Sequence, residues 1–544
     1  MALIPTIAGG YGPTQATGLQ RSAALARILA FENTMHKRLG NTRPIRYWRL
    51  FNYYSQQNLP PDNVEQPLQI NLFKTICDRH NNYLWGQWNK HIVSFRVRPK
   101  RGDKPEDDQS KAIKRWLDDF WDTNERNALL RRGGHDAAVY GDAIFRLRWD
   151  RYERRVVVET ILPEYVHFRW DPNNIHKITE AIVAYPIDRL DAEEWFGTTG
   201  RPEIDFNLIN PEYMPGFGIY WEHWTNTTYH RWIDDVLIEQ GANPYMKEID
   251  GNLWPGIIPF VHVPNMPISG EFWGFSDGEG MLFMQDELNR RMADMGDTVN
   301  NHAHPITTIN NFFGDVEDLP VGPDALWNLG KDGKADLLQW KGTPPAVQEY
   351  LNTLLKLIYD TTDMPEVAFG RSSRGSGTSK ASQGGTSGIA LQLAFEPIVE
   401  HATDKRIHWD LGIRQINEMA AFIQQVQDPE SLGFPYDALR RYEQTVVFAN
   451  ILPRDRMAVV NEQVALVNAI LRSRERALEE LGEENILSEE KKVWADAKEL
   501  AKLGLLSRPV PGGKNSDRGN GGSPSNPGGP GANQRKAGSL GKSA

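Results

Sequence analysis

The chain has 544 residues, 40% of them hydrophobic and 24% charged, enough apolar material for several buried cores, and it favours two to four domains over one. Its net charge of -10 argues against a repressor, nuclease or polymerase, which grips phosphate through a basic face, although a local basic patch can sit within such a total. A conduit along which a polyanion slides is not excluded, because its wall needs weak or repulsive contacts.

The N-terminal stretch MALIPTIAGGYGPTQATG has no basic segment followed by an apolar core and does not read as a secretory signal. Eighteen consecutive apolar residues occur nowhere, so no membrane span is expected, and the chain reads as soluble and intracellular at synthesis. A short helix is predicted around Ala23–Leu39, then an aromatic run (Tyr47, Trp48, Phe51, Tyr53, Tyr54) ending at Pro60-Pro61. Helices are predicted at Asn71–Trp85 and Gln109–Trp121. The single cysteine, Cys77, rules out an intrachain disulfide framework and suits a reducing compartment. Strands are expected at AIFRLRW, RRVVVETIL, EAIVAYPI, GIYWEHWTN, TTYHRWID and GIIPFVHV. Seventeen tryptophans favour an assembling protein, since large amphipathic rings are enriched at interfaces.

The stretch GFSDGEGMLFMQDELNRRMADMGDTVNNHA carries the most information. Ser276 and Glu279 have the spacing of a capping box. Met281, Met284, Leu288, Met292, Met295 and Val299 then make one apolar stripe, with Gln285, Asn289 and Arg290 on the other side. A helix of about 27 residues and ~40 Å is predicted. A second, PAVQEYLNTLLKLIYDTTDMP, keeps the spacing through Val347, Leu351, Leu354 and Ile358 and is stopped by Pro365. About 40 residues of non-helical chain between them is too long for an ordinary helical hairpin, so a module is expected at the far end.

The Gly/Ser-rich segment GRSSRGSGTSKASQGGTSG holds Arg371, Arg374 and Lys380 and no acid. Its residues alone read either as a solvated linker or as a mobile loop touching phosphate without sequence preference. A long helical pattern follows through Trp409, Ile413, Ile416, Ala420 and Ile423, with a kink expected from Pro397. Arg454 to Leu506 reads as helical and densely charged. Beyond Pro509 the composition of Gly, Pro, Ser and Asn reads as disordered.

Three motif-like features carry no chemistry. Gly274-Phe275-Ser276-Asp277-Gly278 matches a nucleophile elbow, but no strand runs directly into it, and it reads as a helix start. Gly370 and Gly375 have the gap of a phosphate-binding loop, with Ser376 where its lysine belongs. His302 and His304 lack a third ligand nearby, so no metal or other cofactor is expected.

From about 70 to 510 the chain resembles tailed-bacteriophage portal proteins, the head-to-tail connectors, in segment order and local wording. NLFKTICDRHNNYLWGQ, AVYGDAIFRL, HVPNMPISGEFWGFSDGEGMLFMQDELNRR, MPEVAFG and SGIALQ carry the likeness; Trp273-Gly274 departs from the usual tyrosine-glycine. The resemblance implies an α+β, mainly helical portal fold of wing, stem, clip and crown, assembling as a ring of twelve and not an enzyme. Residues 1–65 would be an N-terminal arm, 66–265 the wing, 266–303 and 343–365 the stem segments and 304–342 the clip. Residues 366–386 would be a tunnel loop, 387–455 the tunnel helix and wing return, 456–506 the crown, and 507–544 a disordered tail.

It further implies a channel for packaging and ejection of double-stranded DNA, with Arg371, Arg374 and Lys380 contacting it regardless of sequence. Phe312, Phe313 and Trp327 would be the clip's anchors for the large terminase or head-completion and adaptor proteins. Major capsid and scaffold proteins would be further partners, and no membrane. The site would be the portal vertex of the virion, reached from the host cytoplasm. Two readings of other classes remain: a terminase-associated nuclease, which needs clustered carboxylates around metal, and a shell or scaffold subunit.

Overall fold

The computed structural model describes residues 23–32, 43–56, 70–86, 91–99, 108–196, 217–234, 236–249, 252–254, 256–303, 306–310, 332–338, 345–369, 392–452, 456–481 and 486–502. It is an α+β protein with more helix than strand, and it divides into two compact units between Arg454 and Asp455. Among the described residues no helix is long and apolar enough to cross a membrane.

The first unit opens with α1 (residues 23–32), α2 (Arg43–Ser55), α3 (Leu72–Trp85), β1 (Val93–Pro99), α4 (Asp108–Thr123) and α5 (Arg126–Tyr140). There follow β2 (Asp142–Asp150), β3 (Arg155–Ile161), β4 (Val166–Asp171), β5 (Asn174–Asp188), α6 (Arg189–Phe196), β6 (Phe217–Thr225), β7 (Thr228–Ile233) and β8 (Val236–Ala242). Then come β9 (Lys247–Ile249), β10 (Asn252–Trp254), β11 (Phe260–Pro264), α7 (Leu282–Ala303), β12 (Ile306–Asn310), β13 (Lys334–Leu338) and α8 (Pro345–Thr361). The unit closes with α9 (Glu396–Gln427), α10 (Tyr436–Arg441) and β14 (Tyr442–Phe448). The second unit is helical: α11 (Arg456–Asn468), α12 (Arg474–Glu480) and α13 (Ile486–Lys502). There Val464, Val467, Leu478 and Trp494 line one apolar cleft.

Strands β4 to β8 form a five-stranded antiparallel meander in chain order. Alternation sends Ala181 and Val183 of β5 to one face and Ile182 to the other. The first face joins the large core around Phe168, Trp224 and Trp409; the second is covered by Ala24, Leu25 and Ile28 of α1. A second antiparallel sheet runs β11-β2-β3, and β1 pairs with β14, which closes a loop of about 350 residues. Helix α9 crosses this core with Ile398, Ala402, Trp409, Ile413, Ile416, Ala420 and Ile423 buried, as its spacing predicts.

Several expectations need correction. The first three residues of AVYGDAIFRL end helix α5; the strand starts only at Asp142, after Gly141 turns the chain with φ +94°. Helix α5 itself, with a weakly amphipathic sequence buried on most sides, gave no clear period. Pro397 lies in the first turn of α9, where a missing N–H costs nothing; the interruption falls at Phe395, between the helical residues 392–394 and α9. Helix α7 has 22 residues, about 33 Å, and starts at Leu282 after a short 3-10 turn. Among the described residues, Trp85, Trp121, Trp170, Trp221, Trp224, Trp232, Trp273 and Trp409 are buried, while Trp48 and Trp494 are exposed.

Helices α3 and α5 approach so closely that a Cβ on Gly134 would stand 2.3 Å from Asn81 Oδ1 and 2.5 Å from Trp85 Nε1. Trp85 in turn meets Trp409 edge to face at 4.7 Å. Gly134→Ala should therefore destabilise the protein by about 1–3 kcal/mol through overpacking, despite alanine's better helix propensity. Chemical denaturation of the two proteins checks it.

Candidate functional site: a buried charge cluster at the root of two antiparallel helices

Helices α7 and α8 lie antiparallel. Gly280, just before α7, faces Thr361 at the end of α8, while Glu287 accepts a hydrogen bond from Tyr350 Oη (3.3 Å) in its first turns. Leu288, Met292 and Met295 pack with Val347, Leu351 and Ile358, so both apolar stripes read in the sequence meet each other. Val299 is the exception and is exposed. The 41-residue interval between the helices contains β12 and β13, which pair antiparallel from Ile306↔Leu338 to Asn310↔Lys334.

The turn before α7 is held from outside, and the expected capping box does not form. Ser276 Oγ donates to the Ala138 carbonyl (2.9 Å), and Glu279 is taken by Arg46 of α2 (2.6 and 2.8 Å). Gln285 and Asn289, expected on a polar outer face, instead meet the start of α3: their side-chain oxygens accept from Leu72 N and Ile70 N at 3.0 Å. This supplies acceptors to backbone donors that have no intrahelical partner.

Between them lies Asp277, fully buried at its side chain. Lys405 Nζ of α9 donates to Oδ2 (2.5 Å); Asn265 Nδ2 (2.8 Å) and His401 Nε2 (3.3 Å) donate to Oδ1. The other nitrogen of His401 donates to Asp363 at the C-terminal end of α8 (3.0 Å). His80 of α3 stands against the His401 ring at 4.5 Å and bonds the Thr362 carbonyl through Nε2 (2.8 Å). Four chain segments, α3, the turn before α7, the end of α8 and α9, thus meet at one carboxylate.

Burial alone would raise the Asp277 carboxyl, but Lys405 and the two histidines hold it well below the usual range. Burial pushes His80 down to about 3, leaving its ring neutral. For His401 burial also acts downward, yet hydrogen bonds to its two carboxylate partners outweigh it and raise the ring's pKa above the ordinary value. His80, Asp277 and His401 place donor atoms within 4.8 Å of one another, a spacing that ion ligands adopt. Here Lys405 already supplies the positive charge and both His401 nitrogens donate to carboxylates, so the donor set fits an ion-pair cluster and not a metal.

A second buried carboxylate, Asp142, accepts from Tyr47 Oη (2.5 Å), His262 Nε2 (2.8 Å) and Gly274 N (2.8 Å). Arg43, also buried, donates to the carbonyls of Pro163 (2.6 Å) and Val166 (2.5 Å) and lies 4.0 Å over the Trp273 ring. Together these fix the turn at Trp273–Gly274 between α2 and β2.

None of the partners of Asp277 was singled out from sequence. The readable signal was Lys405: it occupies the apolar stripe of α9 between Ala402 and Trp409, where a charge demands a buried partner. The six residues that sequence reasoning did single out, Arg371, Arg374 and Lys380 with Phe312, Phe313 and Trp327, lie outside the described residues, as does His304.

Residues 218–502, more than half of the chain, match the family model of phage portal proteins of the SPP1 Gp6-like type. The chain belongs to that family. The match begins within β6, takes in α7, the β12–β13 pair, α8 and α9, and ends in α13. Portal proteins of this kind are structural components of the phage head-to-tail connector, and both residues of the Asp277–Lys405 pair fall within the matched segment. No curated protein matches the chain.

Lys405→Met should destabilise this portal protein by about 3–5 kcal/mol, because Asp277 is left buried without a counter-charge. Adding Asp277→Asn should recover much of that loss; urea titrations of the three variants check the coupling. His80 provides a pH signature. Its depressed pKa means a stability contribution present above about 6.5, its unfolded value, and lost as pH falls toward the folded value of about 3. His80→Gln should flatten the decline in unfolding midpoint across that window.

Proposed function

We propose that the chain is the subunit of a twelve-membered ring at one capsid vertex, whose axial channel passes double-stranded DNA during packaging and ejection. The observation that carries this reading is the antiparallel α7–α8 pair, interrupted by a long insertion with its own β-ribbon and rooted in a buried charge cluster, inside the segment that matches the portal family. Such a pair is a stiff rod on a fixed base. Copies of it arranged about an axis make a wall, while the inserted ribbon projects beyond the rods.

In this assignment α7 and α8 are the stem and residues 304–342 the clip. The sheets and helices of 66–265, with the return through β14, are the wing, and α11 to α13 are the crown. The tunnel loop of 366–386 brings Arg371, Arg374 and Lys380 to the phosphates, and sequence-blind contacts of that kind allow sliding. The terminase that drives DNA docks on the clip, with Phe312, Phe313 and Trp327 as apolar anchors. Head-completion proteins take its place after filling.

Negative-stain images of purified protein should show rings with an axial hole. Monomers or dimers under all salt conditions would overturn the proposal. Replacing Arg371, Arg374 and Lys380 together by alanine should lower packaged or retained DNA at least several-fold with ring assembly intact. Loss of the rings themselves would give the loop a structural role.

A further inference from the structure

Two surfaces of the first unit are built like the halves of one contact. On α2, Tyr47 and Leu50 face inward while Ile45, Trp48 and Phe51 are exposed along the opposite side. Phe283 of α7, 76% exposed, extends this patch, with the Arg49 guanidinium 5.2 Å over its ring. On the helical residues 392–394 and α9 after them, the exposed line is Leu393, Glu396, Glu400, Asp404 and Ile407, two large apolar residues flanking three acids.

Charge runs oppositely in the two segments. Between Glu32 and Asp62 the sequence has Lys37, Arg38, Arg43, Arg46 and Arg49 and no acid. Between Lys380 and Lys405 it has Glu396, Glu400 and Asp404 and no lysine or arginine. Arg43 and Arg46 are occupied inside the fold by Glu32 and Glu279, whereas Arg49 has no carboxylate partner among the described residues. Glu396 and Glu400 likewise have no basic partner there.

Within one chain α2 and α9 are joined through α3, which packs on both. It packs on α2 through Phe73 against Tyr53 (6.1 Å) and Asp78 with Tyr54 (2.8 Å). It packs on α9 through Trp85 against Trp409 and the Leu84 carbonyl with Arg406 (2.8 Å). Complementarity between two different patches of one chain is the arrangement of head-to-tail association, which makes a ring when its rotation closes and a filament when it does not. Exposed apolar residues beside the acids also distinguish the α9 line from a wall that faces only DNA and water.

We propose that the α2 patch, Ile45, Trp48, Arg49 and Phe51 with Phe283, docks on the Leu393–Ile407 line in a neighbouring copy of this chain. The inference rests on the ring reading above and assigns its subunit contact. Burying Trp48 and Ile407 supplies the apolar gain, and Arg49 against the three acids sets direction and excludes the reverse pairing of like faces.

The test is cross-linking of the full chain. The one native cysteine, Cys77, is buried, so introduced thiols report alone. Trp48→Cys combined with Ile407→Cys, treated with a short flexible bismaleimide, should give a ladder of covalent species beyond the dimer on denaturing gels. Each single variant should stay a monomer. Rings in the micrographs with no ladder, or dimers from either single variant, would overturn the pairing while leaving the ring standing. A wild-type chain that forms no rings would instead remove the reading beneath it. In parallel, Arg49→Glu and Glu400→Arg should each shift native mass toward small species at unchanged circular dichroism, and the double variant should restore rings. Failure of the double to restore them would also overturn the pairing.

Discussion

The Asp277–Lys405 pair is the contact on which the arrangement of the first unit turns. Both side chains are out of water, and each would carry an uncompensated charge without the other. Their pairing satisfies that demand only when the turn before α7 and the third turn of α9 occupy one relative position. His401 and His80 extend the same condition to the end of α8 and to α3. An apolar contact at this point would tolerate a slip of a residue or a rotation of a helix; a hydrogen-bonded charge cluster in low dielectric does not.

Close backbone approach reinforces that condition. Gly274 sits where a Cβ would be 2.3 Å from the Gly141 carbonyl oxygen, and Asn265 N bonds the same carbonyl at 2.8 Å. The turn at Trp273–Gly274 is therefore pressed onto the end of α5 and held by Asp142. From this base α7 and α8 leave as a pair whose contacts are mostly methionine, leucine and isoleucine. A rod with adaptable apolar packing on a root with fixed polar geometry suits a structural subunit of the phage head-to-tail connector.

Where sequence reasoning went astray, the cause is a partner distant along the chain. Ser276 and Glu279 have capping-box spacing, but Ala138 and Arg46 offer better-placed partners and take them. Gln285 and Asn289 are polar and stand off the apolar stripe, which reads as a solvent face; the start of α3 happens to lie there and needs acceptors. Helix α5 is buried on most sides, so its apolar residues show no one-sided period. Tryptophan content does not tell core from interface: Trp85 meets Trp409, and Trp170 meets Trp273, edge to face inside the fold.

By itself the sequence determined the local elements with strong periodicity: α3, α4, the strands β2, β3, β5, β6 and β7, the two stripes of α7 and α8, and the buried face of α9. These follow from spacing, which is a property of neighbouring residues. It also carried the order of segments that marks a portal protein. The tertiary structure alone decided which side chains meet at the root of α7 and α8, because Asp277, Lys405, His401, His80 and Asp363 come from four places along the chain and no local pattern joins them. Only the folded chain could decide, too, that α3 packs on both α2 and α9, since a helix records in its sequence that a face is apolar but not what lies beyond it.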